Sequence, residues 1–87
     1  MGSINRTNNK EGGDTMAFDF RLLTALIIAV YGSRAKFAKA LGVSKGTLSM
    51  KLNNKVKFTT QEILKCCDLL HIDQNDIGLY FFTVKVR

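Results

Sequence analysis

Between Asp19 and Glu62 the chain carries no acidic residue, yet the interval holds Arg21, Arg34, Lys36, Lys39, Lys45, Lys51, Lys55 and Lys57, eight cationic groups. Beyond it the sign reverses, and Glu62, Asp68, Asp73 and Asp76 are set against Lys65 alone up to Gly78. The chemistry such a run offers is attraction to a polyanion, met in a preferred orientation because the two ends differ in sign. A lysine-rich run is by itself most simply a solvated surface. It gains meaning here because it falls on a segment patterned as helix, turn and helix.

Covalent chemistry is poorly supplied. Ser44 and Ser49 have no histidine at nucleophile–base spacing, and the sequence shows no phosphate-cradling glycine loop and no paired catalytic carboxylates. The single histidine, His71, cannot complete a zinc set with Cys66 and Cys67 within one chain. Its simplest role is that of a capping or surface residue at a helix end. Adjacent cysteines on a helix diverge and do not pair sensibly with each other, and the expected setting is the cytoplasm. Cys67, on the face of Ile63 and Leu70, is expected to pack, and Cys66 to be partly exposed. The expectation is a protein that is not an enzyme and uses no cofactor or metal.

Eighty-seven residues allow one domain, and a domain of that size buries only about 60% of its unfolded surface, too little to house a deep catalytic cleft comfortably. With 46% hydrophobic residues and no proline, the composition supports an uninterrupted helical core. Residues 1–15, glycine-rich and polar, are expected to be a disordered leader foreign to the natural protein. Lys10-Glu11-Gly12-Gly13-Asp14-Thr15 is what a purine-rich ribosome-binding sequence spells when read in frame, which makes Met16 the expected natural start and 16–87 the domain.

Five helices are expected. The first runs from Asp19, its N-cap, to Tyr31, with Leu22, Leu23, Leu26, Ile27 and Val30 as core face and Gly32 as terminator. Its uncharged stretch is far shorter than the roughly 20 residues a membrane span needs. Ser33 caps the second helix, where Phe37, Ala38 and Leu41 share a face and Gly42 supplies the left-handed end. Val43 fills the bend, Ser44 caps the third helix, and Leu48 and Leu52 turn back toward the second. Thr59 and Glu62 have the spacing of a capping box for the fourth helix, with Ile63, Leu64, Cys67 and Leu70 inward. Asp73 begins a short fifth helix ending at Gly78. Leu79 to Val86 then alternates β-branched and aromatic residues, the pattern of an extended segment with Tyr80, Phe82, Val84 and Val86 on one side.

The run Phe37-Ala38-x-x-Leu41-Gly42-Val43-Ser44-x-x-x-Leu48-x-x-x-Leu52-Asn53-Asn54 resembles the helix-turn-helix of the Cro and repressor family of phage regulators. Lys51-Leu52-Asn53-Asn54-Lys55-Val56-x-Phe58-Thr59 and Ile77-Gly78-x-Tyr80-Phe81-Phe82-Thr83 extend the likeness to small Cro-like proteins from phages of Gram-positive bacteria, over roughly residues 18 to 87. The resemblance implies an all-α, lambda-repressor-like bundle of about five helices with a short extended C-terminal segment. It also implies a transcriptional regulator of the lytic/lysogenic switch that binds double-stranded operator DNA. In that family the motif's second helix enters the major groove, and the positions that match its base contacts are Lys45, Gly46, Thr47 and Ser49, with Met50 placed for thymine methyl groups. Ser33, Arg34, Ser44, Lys51, Asn53 and Lys55 match positions near phosphates, Arg34 standing where the family often has glutamine.

A second reading belongs to another class. Small Cro-like proteins of this kind are in some cases encoded beside the repressor they oppose, so the resemblance also permits an antirepressor or modulator that binds the phage repressor protein. Spare apolar surface favours it: Phe20, Ile28 and Tyr31 on the outer side of the first helix, and Tyr80, Phe82 and Val84 in the C-terminal segment. That segment has to pack on the domain, on a second copy of the chain or on the repressor, since a lone strand leaves its backbone unpaired.

Overall fold

A computed structural model describes residues 17–85, and the expected leader, the start at Met16 and Val86 lie outside them. The helices are α1 (Arg21–Tyr31), α2 (Arg34–Leu41), α3 (Lys45–Leu52), α4 (Thr60–Leu70) and α5 (Ile77–Phe81), with a 3-10 turn at Gln74–Asp76 leading into α5. The fold is all-α, as the helical periodicity requires. None of the described helices is long and apolar enough to cross a membrane.

Capping chemistry sets most boundaries. Ser33 Oγ accepts from Lys36 N–H at 3.1 Å and Ser44 Oγ from Thr47 N–H at 3.0 Å, each meeting one of the free donors of a first turn. At α4 the capping box closes in both directions: Glu62 N–H donates to Thr59 Oγ1 at 3.1 Å, and Thr59 N–H to Glu62 Oε1 at 2.9 Å. Gly32 and Gly42 end α1 and α2 at φ +85° and +92°, a region that a side chain would strain. His71 takes the same role after α4 at φ 57°, so it is a helix terminator.

The core joins Phe20, Leu23 and Ile27 to Phe37, Ala38, Leu41 and Leu48, and these to Cys66, Leu70, Ile72 and Phe81. Two helix faces are turned from their expected orientation. In α1 the buried line is Phe20, Leu23 and Ile27, continued by half-buried Tyr31, whereas Leu22 and Val30 are exposed. In α4 the line passes through Cys66 and Leu70, so Leu64 stands 58% exposed. Cys66, expected to be partly exposed, is instead buried, which pushes its thiol up to about 12, while Cys67 packs against the core as expected and is half-buried.

The helix at the C-terminal end does not stop at Gly78. It continues to Phe81, whose ring is buried edge-on to Phe58 at a centroid distance of 5.4 Å. Only the following residues are extended, and their partner is the segment before α1. Asp19 N–H donates to the Thr83 carbonyl at 2.7 Å and Lys85 N–H to the Ala17 carbonyl at 2.9 Å, around an antiparallel pairing of Phe18 with Val84. Bonds on the flanking residues turn the polar groups of the central pair away from each other. Asn54 meets those of Phe18: its Oδ1 accepts from Phe18 N–H at 2.8 Å, and its Nδ2 donates to the Phe18 carbonyl at 2.9 Å. Asn54 adopts φ 64°, a left-handed conformation that asparagine tolerates. The end of α3 is therefore tied to both ends of the described chain.

Candidate functional site

The α2–turn–α3 unit presents its polar side chains from a rigid base. Leu48 is fully buried, α3 packs chiefly on α2, and the Gly42 and Val43 N–H groups both return to the Ala38 carbonyl, at 2.9 and 3.0 Å. On the outer side Lys45, Gly46 and Met50 are exposed, and Thr47 and Ser49 are half-buried. The Ser44 hydroxyl donates to Thr47 Oγ1 at 2.9 Å, so these two side chains stabilise the helix start and each other. Arg34, Asn53 and Lys55 are exposed close to the two helix ends, with half-buried Ser33 and exposed Ser44 at the caps.

Gly46 is informative. A Cβ there would meet nothing nearer than Ser44 Oγ at 3.9 Å, ordinary contact, so the fold itself does not require glycine at this position. Gly46→Ala is expected to stabilise the isolated chain by roughly 0.5 to 1 kcal/mol, read as a raised urea midpoint. An unchanged or lowered midpoint would show a constraint within the domain that this geometry lacks.

Lys51 departs from its expected role as a phosphate contact. It is only 4% exposed; its Nζ lies 2.8 Å from Glu62 Oε1, donates to the Lys57 carbonyl at 3.1 Å and sits 5.8 Å from the centre of the Phe58 ring. The position on α3 turns toward α4, where an acid accepts the ammonium. Lys51 therefore clamps α3, the Lys57 backbone and the start of α4, and its ammonium is turned inward and away from any anion outside the domain.

Burial draws the Glu62 carboxyl toward a higher pKa, but hydrogen bonds from the Lys51 side chain and the Thr59 backbone outweigh it and hold the group below its ordinary 4.5. A folded value that is lowered contributes stability above the unfolded pKa, and this is lost as pH falls through the folded value. The stability gap between the wild type and Glu62→Gln is thus expected to be full at pH 7 and to shrink on acidification from about pH 4.5 downward, measured as urea midpoints. A gap independent of pH would contradict the ion pair.

Of the residues expected to form a partner surface, some are exposed and others are not. Ile28, Phe82 and Val84 are exposed, the last two at 50% and 47%. Tyr31 and Tyr80 are half-buried against the core, Tyr31 edge-on to Phe37 at 5.2 Å. Phe20 is not surface at all: it, and not Asp19, is the N-cap of α1, so the helix begins one residue later than expected, and Phe20 turns inward, 7% exposed, with its ring 5.4 Å from that of Phe58. Sequence reasoning missed the exposed Leu22, Val30 and Val56. The first two follow from the turned face of α1, and Val56 sits in a loop with no periodicity to read.

Among the described residues, no group of three or more histidine, cysteine or carboxylate side chains could hold a metal ion. No curated protein matches the chain. The chain is similar to the solution structure of the modulator of repression (MOR) of the temperate bacteriophage TP901-1 from Lactococcus lactis. Identity is 40% and the TM-score 0.68, over 80% of this chain and 95% of that one. Residues 16–84 match the family described as DUF739, protein of unknown function, and the chain belongs to that family.

Proposed function

We propose that the protein is a phage regulator that modulates repression by binding the phage repressor protein. The observation that carries this reading is the likeness to the TP901-1 modulator of repression along nearly that protein's whole length. The surface supports it. Lys51 is committed to Glu62, and α3 is left with Lys45 as its one exposed cationic side chain, flanked by small or apolar residues. Exposed apolar side chains, by contrast, recur on α1, in the loop after α3 and in the C-terminal segment. Sedimentation of the chain mixed with the repressor encoded beside it tests the reading. A faster-sedimenting complex is expected, and two independent boundaries would reject it.

Direct contact with operator DNA through α3 is a second reading, favoured by the acid-free basic window that places Arg34, Lys45, Asn53 and Lys55 on exposed positions of one unit. Arg34→Ala would then weaken binding to every sequence and reduce the salt slope by roughly one, whereas Lys45→Ala would relax base preference. Absence of binding to the protein's own locus at low salt, measured by fluorescence anisotropy, removes this reading and leaves the first intact.

A further inference from the structure

The loop that follows α3 and the aromatic residues of the two chain ends line an open groove of about 840 Å³. Its apolar wall includes Phe18, Val56, Phe58 and Phe82, of which Val56 and Phe82 are 40% and 50% exposed. Exposed apolar residues scattered singly are ordinary on a protein surface, but several lining one concavity mark a place where another apolar group can be received. Lys51, Lys55 and Lys57 line the same groove, and among the described residues no carboxylate does. Because Lys51 is held by Glu62, the unneutralised charge belongs to Lys55 and Lys57, both exposed.

We propose that this groove receives a short segment of the repressor in which apolar side chains are flanked by carboxylates. The inference rests on the repressor-binding reading and names the surface that carries it. Apolar anchors fill the aromatic wall, and the flanking carboxylates meet Lys55 and Lys57, fixing the direction in which the segment lies. A second copy of the chain suits the groove less well. A second copy would have to bring its acidic end, with exposed Asp68, Asp73 and Asp76, to that rim against the repulsion of an overall net charge of +6. The outer face of α1, with exposed Leu22, Ile28 and Val30, has no carboxylate to offer those lysines.

Titration of the full-length, isotope-labelled chain with the unlabelled repressor encoded beside it tests the assignment. Amide shifts are expected to cluster at Lys55, Val56, Lys57, Phe58 and Phe82. The exposed double variant Lys55→Glu/Lys57→Glu, checked for an unaltered melting curve, is expected to bind the repressor roughly tenfold or more weakly, since carboxylates would then face carboxylates. Val56→Asp, at a position that is also exposed, gives an independent loss. Shifts confined to α1 around Ile28 or to α3, with both variants binding normally, overturn the groove and leave the repressor reading standing. A chain that sediments alone as a dimer, dissociated by Val56→Asp, overturns it in favour of a second copy. No shift anywhere at saturating repressor rejects the groove and the repressor reading together.

Discussion

Leu48→Ala is expected to lower the unfolding free energy by about 2 to 5 kcal/mol, the cost of deleting a buried leucine and leaving a cavity. The side chain is fully buried, in one cluster with Phe37, Ala38, Leu41 and Phe81, and α3 packs chiefly on α2, so this contact is the apolar anchor of the helix. A domain of about 70 residues, at roughly 0.05 to 0.15 kcal/mol per residue, has only about 3 to 10 kcal/mol to lose. A large unfolded fraction at 37 °C should follow. Urea denaturation followed by circular dichroism measures it, and an unchanged midpoint would contradict the packing of α3.

The second large effect concerns a residue that sequence reasoning placed on the surface. Lys51→Ala removes the ammonium and leaves the Glu62 carboxylate and the Lys57 carbonyl without their donor. Breaking a buried ion pair by deleting one partner costs about 3 to 5 kcal/mol. Glu62 keeps some contact with water and its bond from Thr59, so the expected loss is nearer about 2 to 3 kcal/mol. Lys51→Met, which preserves the apolar stem over Phe58, should lose less. Chemical denaturation ranks the three proteins. Equal stability of Lys51→Ala and wild type would return this lysine to the surface and to the list of possible anion contacts.

Local signals in the sequence specify much of this architecture. Ser33, Ser44 and Thr59 each act through hydrogen bonds to the residue three places on, and Gly32 and Gly42 through a conformation that few other residues adopt. Those features depend on neighbours in the chain, and so they are readable from it. Helix faces depend on what lies opposite. α1 offers leucine, isoleucine or valine at six of its eleven positions, so its periodicity leaves several apolar faces open, and the choice between Leu22 and Phe20 is made by Phe58, which comes from the loop after α3. Glycine at position 78 looked like a terminator. It lies inside a helix because Phe81, three residues on, finds a buried site.

The candidate site was legible to a similar depth. The positions of Lys45, Gly46 and Met50 on an exposed helix side follow from the turn and from Leu48 and Leu52 on the other side. The fate of Lys51 does not, because its partner Glu62 is eleven residues away and reaches it only through the return of the chain at the Lys55–Phe58 loop. The partner of the C-terminal segment was likewise hidden. Ala17 to Asp19 is too short to show a strand pattern, and only the fold brings it beside Thr83 to Lys85.

Operator occupancy by the repressor, measured while the chain is titrated in, addresses the central claim most directly. A phage repressor that binds the chain is placed on labelled DNA of its own operator at a concentration that half-fills the site, and fluorescence anisotropy follows the bound fraction. If the protein acts on the repressor, that fraction changes with added chain and saturates, and Leu48→Ala loses the effect in step with its loss of folding. An occupancy that stays constant up to a large excess of folded chain would contradict modulation through the repressor.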